Sequence, residues 1–206
     1  MPPTQKPVFV TALPPLRLLW PAGVLSALLL FCQLLPESGQ LGLRYDRALI
    51  GDGQFWRVLT ANFVHLGWGH FWLNLAGLAF VALLFAGDRS ASRWLAGLLV
   101  SGVATSLGVY WFDPEIEWMA GLSGALHGLF VLGAIGMILL GEWLGWALVA
   151  GVLAKLGWEQ LVGDLPMTGE LIGGSVVNAA HVWGAAGGVL AGLREILIWR
   201  RQRVPL

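Results

Sequence analysis

A chain of 206 residues that is 57% hydrophobic and only 12% charged carries more apolar surface than a soluble fold of this size can hide. That excludes an ordinary globular domain and leaves a multi-spanning membrane protein. Twelve Lys and Arg against twelve Asp and Glu give no net charge, and no basic run offers a nucleic-acid surface. Cys32, the single cysteine, excludes an intramolecular disulfide and a cysteine-based metal site.

In chain order, the proline-punctuated residues 1–17 predict a short arm on the cytoplasmic side. Residues 18–35 are apolar over a length that spans a bilayer with its flanks, closed by Pro36, and read as an anchor that stays. The connection 37–66 is too long for an ordinary loop. Within it Phe55, Trp56, Leu59 and Phe63 recur at helical spacing around Arg57, Thr60 and Asn62, which fits a helix lying in the membrane interface with Trp56 and Arg57 as anchors, and equally fits an irregular apolar connector.

Further spans are predicted over 69–87, 94–112, 118–140, 143–158 and 175–199. Asp88, Arg89 and Arg93 mark the far end of the second, and Arg200, Arg201 and Arg203 stop the sixth. The expectation is an all-α membrane protein. A six-transmembrane-helix domain (18–199) with an interfacial first outer loop lies between the arm and a basic cytoplasmic tail (200–206). With both ends inside, the basic residues are in excess inside, so the acidic loops at 113–117 and 159–170 face outward as solvated surface.

In this topology the second, fourth and sixth spans all begin at the outer leaflet, and their beginnings carry His70 and Asn74, Ser123 and His127, and Asn178 and His181. At about 1.5 Å rise per residue these groups share a depth roughly one or two turns below the surface. Polar groups in lipid are costly, so their convergence points to function. Small residues every four positions, Ala120, Gly124 and Gly128 on the fourth span and Ala180, Gly184, Gly188 and Gly192 on the sixth, allow close approach of the two backbones. A serine hydroxyl on one helix and an imidazole on the next can then form a nucleophile–base pair, Ser123 with His181. His70 and Asn74, four apart on one face, together with the Ser123 N–H at a helix start, are candidate donors to a developing oxyanion. No Asp or Glu falls within the predicted spans at this level, which predicts a Ser–His dyad without a carboxylate. Lys155, near the outer end of the fifth span, reads as a snorkelling side chain, and His65, at the loop-to-helix joint, as a cap or bridge.

The motifs Trp56-Arg57, His65-x4-His70-x3-Asn74, Gly121-Leu-Ser123-Gly124 and Ala180-His181-x2-Gly184-x3-Gly188 resemble those of the rhomboid family of intramembrane serine proteases, in order over the whole core. The resemblance implies a rhomboid-like bundle, with Ser123 as nucleophile, His181 as general base, and His70 and Asn74 as oxyanion stabilisers. It further implies a Trp56-Arg57 loop lying partly in the outer leaflet and a structural His65. The implied activity is cleavage of transmembrane anchors near their outer ends, without metal or other cofactor. His127 stands four after the serine, where better-known members carry an aromatic that stacks on the catalytic histidine. The Ser-Gly-x-Leu-His-Gly form is similar to the rhombosortase branch. That likeness implies a bacterial inner-membrane enzyme acting on C-terminal Gly-Gly-motif anchors of surface or secreted proteins. His127 faces the same way as Ser123, but one helical turn along the same helix is an awkward position for proton abstraction, so His181 is preferred and His127 is assigned to stacking or hydrogen bonding. Two rival readings stand beside this one. One is a non-enzymatic membrane protein whose histidines bind haem or a metal; the other is an inactive member that only binds helices.

Overall fold

The computed structural model describes residues 19–85 and 91–203, with side chains through Leu197. The N-terminal arm, the Asp88 and Arg89 marks and the side chains of the basic tail lie outside the described residues.

Six helices of 14–26 residues stand in the order expected of the six spans: α1 (Trp20–Gln33), α5 (Trp68–Phe85), α6 (Ala91–Phe112), α7 (Ser123–Leu139), α8 (Trp143–Leu161) and α10 (Asn178–Arg203). Among the described residues α5 and α6 are long and apolar enough, by length and composition, to cross a membrane, while α1 and α7 are shorter apolar helices. Large apolar side chains such as Phe80, Trp111, Trp146 and Leu153 are exposed. So much outward apolar surface is costly in water and suits lipid.

The core centres on α7. Leu122, Ala125, Leu126, Leu129 and Leu132 pack with Phe71, Leu78 and Phe85 of α5, Leu98 of α6 and Leu29 of α1. On its other side α7 meets α10 backbone to backbone. A Cβ placed on Gly184 would overlap the Gly124 carbonyl, one on Gly188 the Gly128 carbonyl, and one on Gly124 would come within 2.8 Å of the Ala180 oxygen. The four-residue period of small side chains predicts this crossing, and the crossing is there.

The connection 37–66 is helical where the spacing of Phe55 to Phe63 expects it, but it holds more structure besides. It folds into α2 (Glu37–Leu43), a two-residue strand β1 (Tyr45–Asp46), α3 (Arg47–Gly51), α4 (Arg57–Thr60) and a 3-10 turn (Ala61–Phe63). Strand β1 pairs antiparallel with β2 (Trp118–Met119), Tyr45 opposite Met119. This pairing is why the helix carrying the serine starts at Ser123 and not at Trp118. The Arg47 guanidinium donates to the carbonyls of Val109 and Tyr110 in the last turn of α6 and of Asp113 and Ile116 just beyond it, and so ties the first loop to the C-terminal end of that helix. Arg57 is not the surface anchor expected. It is buried, and donates to the Leu41 and Arg44 carbonyls and to Gln54 Oε1. Its role is to hold the loop together. Trp56 beside it is exposed.

Two helix ends also depart from expectation. The last helix begins at Asn178, and α8 runs to Leu161, past the expected end at Trp158. The second difference carries Glu159 into the bundle, because one more turn of helix points it inward among packed neighbours and not into an outer loop. A short helix, α9 (Thr168–Ile172), completes the connection to α10.

Candidate active site

Ser123 is the first residue of α7, so its N–H has no partner within the helix. Gly121, two residues before it, has φ +127°, a backbone conformation that L side chains rarely adopt, and its N–H donates to the Ala61 carbonyl at 3.0 Å. A Cβ at Gly121 would lie 2.5 Å from His70 Cε1, so the missing side chain also admits the His70 ring to this spot. Gly121 therefore serves both the turn and the packing of the α5 histidine.

Across the α7–α10 crossing, Ser123 Oγ lies 3.0 Å from His181 Nε2. Ser123 is partly buried and His181 buried. The other imidazole nitrogen, His181 Nδ1, lies 2.9 Å from Glu159 Oε2 on α8, and Lys155 Nζ lies 2.5 Å from Glu159 Oε1. The expected absence of a carboxylate at this depth is thus corrected: Glu159 is 5% exposed and touches the histidine. Lys155 is half-buried against that carboxylate and does not simply extend to the surface. The predicted fifth span ends at Trp158, one residue before Glu159, whereas α8 runs on to Leu161. The readable signal was the four-residue spacing of Lys155 and Glu159, which marks one helix face and an α8 reaching past Trp158.

His127 stacks on His181 with ring centroids 4.2 Å apart and planes 22° from parallel. Its Nδ1 lies 2.7 Å from the Ser123 carbonyl oxygen, which only accepts, so Nδ1 carries the proton and donates. His127 thus covers one face of the His181 ring. His70 Nδ1 accepts a long bond from the Leu66 N–H, at 3.4 Å, and that leaves its Nε2 to carry the proton. Asn74 Nδ2 donates to the His70 carbonyl at 3.0 Å, and its buried Oδ1 has no partner among the described residues. Ser123, His181, His70, Asn74, His127 and Glu159 all line one cavity of ≈ 1030 Å³. The structure therefore brings together five of the six polar groups at the three helix beginnings and adds Glu159 from the end of α8, while Asn178 does not line the cavity and donates to the Glu159 carbonyl and Asp164 Oδ1.

His65 does not cap or bridge. It is buried, with neither ring nitrogen bonded among the described residues, and packs edge-on against His70 and Phe71 at ring distances of 5.1 and 5.8 Å. Burial, and second the neighbouring His70, push its imidazole down from 6.5 to about 3. An unfolded chain binds a proton there below about 6.5 while the fold does not, so stability is full above that pH and falls as pH drops toward 3. The slope is about 1.4 kcal/mol per pH unit. The unfolding temperature in detergent should accordingly fall from pH 6.5 to 4.5, and fall less in His65→Leu; equal slopes would contradict this.

A metal is the other use such a cluster could have. His127, Glu159 and His181 each offer one ligand atom, all within 4.8 Å of one another. Three of the four ring nitrogens, however, are already hydrogen-bonded to Ser123 and Glu159, which leaves only His127 Nε2 without such a bond.

Comparison with known proteins gives one family. Its model, described as a rhomboid domain, matches residues 52–197. The rhomboid protease GluP of Bacillus subtilis is 28% identical over 144 residues, which cover 66% of this chain and 28% of that protein. The uncharacterized protein Rv1337 of Mycobacterium tuberculosis is 28% identical over 196 residues, 91% of this chain and 75% of the relative. RHOMBOID-like protein 5 of Arabidopsis thaliana is 29% identical over 174 residues, 82% and 52%. The chain thus spans little more than a quarter of GluP and about half of the Arabidopsis relative.

Proposed function

This chain belongs to the rhomboid family, an integral membrane family, and from that premise we propose that it is an intramembrane serine endopeptidase that cuts transmembrane anchors near their outer ends. The single observation that carries the reading is the 3.0 Å approach of Ser123 Oγ to His181 Nε2 across two helices. A serine becomes nucleophilic when a base takes its proton, and the distance is that of a hydrogen bond through which the proton can pass. Ser123 Oγ then attacks the scissile carbonyl carbon, and His181 hands the proton to the leaving amine as the C–N bond breaks. Water, activated by the same imidazole, releases the acyl group. The developing oxyanion is met by the Ser123 N–H, by His70 Nε2–H and by the Asn74 amide, all lining the same cavity.

The membrane arrangement belongs to the same proposal. The six long helices cross the bilayer, both termini face the cytoplasm, and the cavity with the serine opens on the periplasmic side of a bacterial inner membrane. Its basis is the excess of basic residues on the inner segments and the clustering of every polar site residue at the opposite end. Within the family, the His127 position after the Ser-Gly-x-Leu stretch favours the rhombosortase branch, with C-terminal Gly-Gly-motif anchors as substrates and membrane lipid as surroundings. Metal binding at the His127, Glu159 and His181 cluster is disfavoured by the three ring nitrogens already bonded there.

The test is fluorophosphonate labelling of the purified chain, together with co-expression of candidate tail-anchored substrates and mapping of the product ends. Labelling that persists in Ser123→Ala, or no labelling of the wild type, would sink the reading. A haem absorption band or stoichiometric metal in the purified protein would favour the rival. His127→Phe, which keeps a flat ring over His181, should retain activity within about tenfold, since an aromatic contact of this kind is worth about 0.5–1.5 kcal/mol. Total loss in a folded His127→Phe protein would instead make His127 the base.

A further inference from the structure

Neutral imidazole carries one proton, on either nitrogen, and only the form with a bare Nε2 can accept the Ser123 proton. Nothing in the pair itself chooses that form. In the structure the choice is made from α8. Glu159 Oε2 lies 2.9 Å from His181 Nδ1, and an ionised carboxylate only accepts, so the proton sits on Nδ1 and the lone pair of Nε2 faces Ser123 Oγ at 3.0 Å. The carboxylate is almost fully buried, a position that is expensive for an unpaired charge, and its second oxygen meets the Lys155 ammonium at 2.5 Å. The His127 ring covers the His181 ring from one face. The imidazole is thereby held at both nitrogens and over one face.

We propose that Glu159 is a positioning residue that fixes the tautomer and orientation of His181, with Lys155 as its counter-ion, so that the reacting Ser–His pair is held by a third, carboxylate member. The proposal rests on the reading of the chain as a serine protease. As Ser123 Oγ bonds to the scissile carbon its proton moves to Nε2, and the imidazolium so formed lies against the carboxylate, which stabilises it without taking the second proton. When the C–N bond breaks, that Nε2 proton leaves with the amine and the neutral Nδ1–H form returns. A different role would be purely architectural. Glu159 also accepts from Asn178 Nδ2 through its backbone carbonyl, at 3.3 Å, and its side chain could simply tie α8 to α10.

Glu159→Gln, assayed on the full-length chain in detergent, separates the two. The amide keeps the size of the side chain but can donate to Nδ1, so the proton moves to Nε2 and the base is lost. Labelling of Ser123 by a fluorophosphonate and kcat should each drop by about 100- to 10,000-fold, with KM changed less than about threefold. Glu159→Asp, which keeps a carboxylate, should restore both to within about tenfold of wild type. Nitrogen-15 NMR of the wild type should find His181 protonated at Nδ1 and bare at Nε2, with the order reversed or mixed in Glu159→Gln. Labelling of Glu159→Gln at the wild-type rate would overturn the proposal. Should that variant fail to fold, a wild-type His181 protonated at Nε2 with Nδ1 bare would overturn it equally. Wild type that takes no label is a separate outcome, which removes the protease reading itself.

Discussion

Ser123→Ala protein is expected to take up no fluorophosphonate and to cut its anchor substrate at least about 10,000-fold more slowly than wild type, while unfolding at the wild-type temperature. The two halves of this expectation have different causes. The rate falls because the hydroxyl placed against His181 Nε2 is gone, and what remains is binding and oxyanion stabilisation. Stability holds because Ser123 is the first residue of α7, where the alanine methyl group fits any space the hydroxymethyl group occupied and breaks only the bond to His181. His181→Ala should match the rate loss, since residues that act as one unit are not additive and the double variant should be no slower than either single one. A Ser123→Ala protein that still cleaves would mean that the chemistry lies elsewhere. A variant that unfolds would mean that the assay reads folding.

Gly188→Val is expected to remove activity by a different route, without touching a reacting atom. A Cβ at Gly188 would fall inside the backbone of Gly128, and backbone in the middle of a helix cannot step aside as a flexible side chain can. Overpacking of a core costs about 1–3 kcal/mol, and a clash of two main chains belongs at or above the upper end. The helices must separate, and a hydrogen bond that joins them lengthens with the gap. The variant should therefore show a lowered unfolding temperature together with lost labelling of Ser123. Gly23→Val supplies the control, because a Cβ on Gly23 of α1 meets nothing within 4 Å and Gly23 does not line the cavity. Normal turnover in Gly188→Val would show that α7 and α10 need not touch as they do.

Much of this site could be read from the chain because its parts interrupt apolar runs. Ser123, His127, His70, Asn74 and His181 are polar residues in stretches that are otherwise almost wholly apolar, and the bilayer makes such interruptions expensive. The α7–α10 crossing was legible for a related reason: glycines four apart leave a strip that periodicity exposes. Glu159 was hidden because it lies where an apolar segment passes into a polar one, and element ends are set by tertiary partners that hydropathy does not register. Arg57 and Arg47 were hidden more deeply. Each is surrounded by backbone carbonyls of distant segments, and carbonyls leave no mark in a sequence. The strand in the first loop was hidden for the same reason, since it exists only by pairing with Met119 and Trp118, more than seventy positions away.

That small ladder has an engineering consequence. Tyr45 is locked to Met119 and Arg47 to the chain between Val109 and Ile116, so the first outer loop acts as a jig that sets where the peptide emerges just ahead of the nucleophile. A chimera built with a relative should therefore exchange 45–57 and 109–121 together. Grafting either half alone would mismatch the ladder and displace Ser123 from its partner even with every reacting side chain retained.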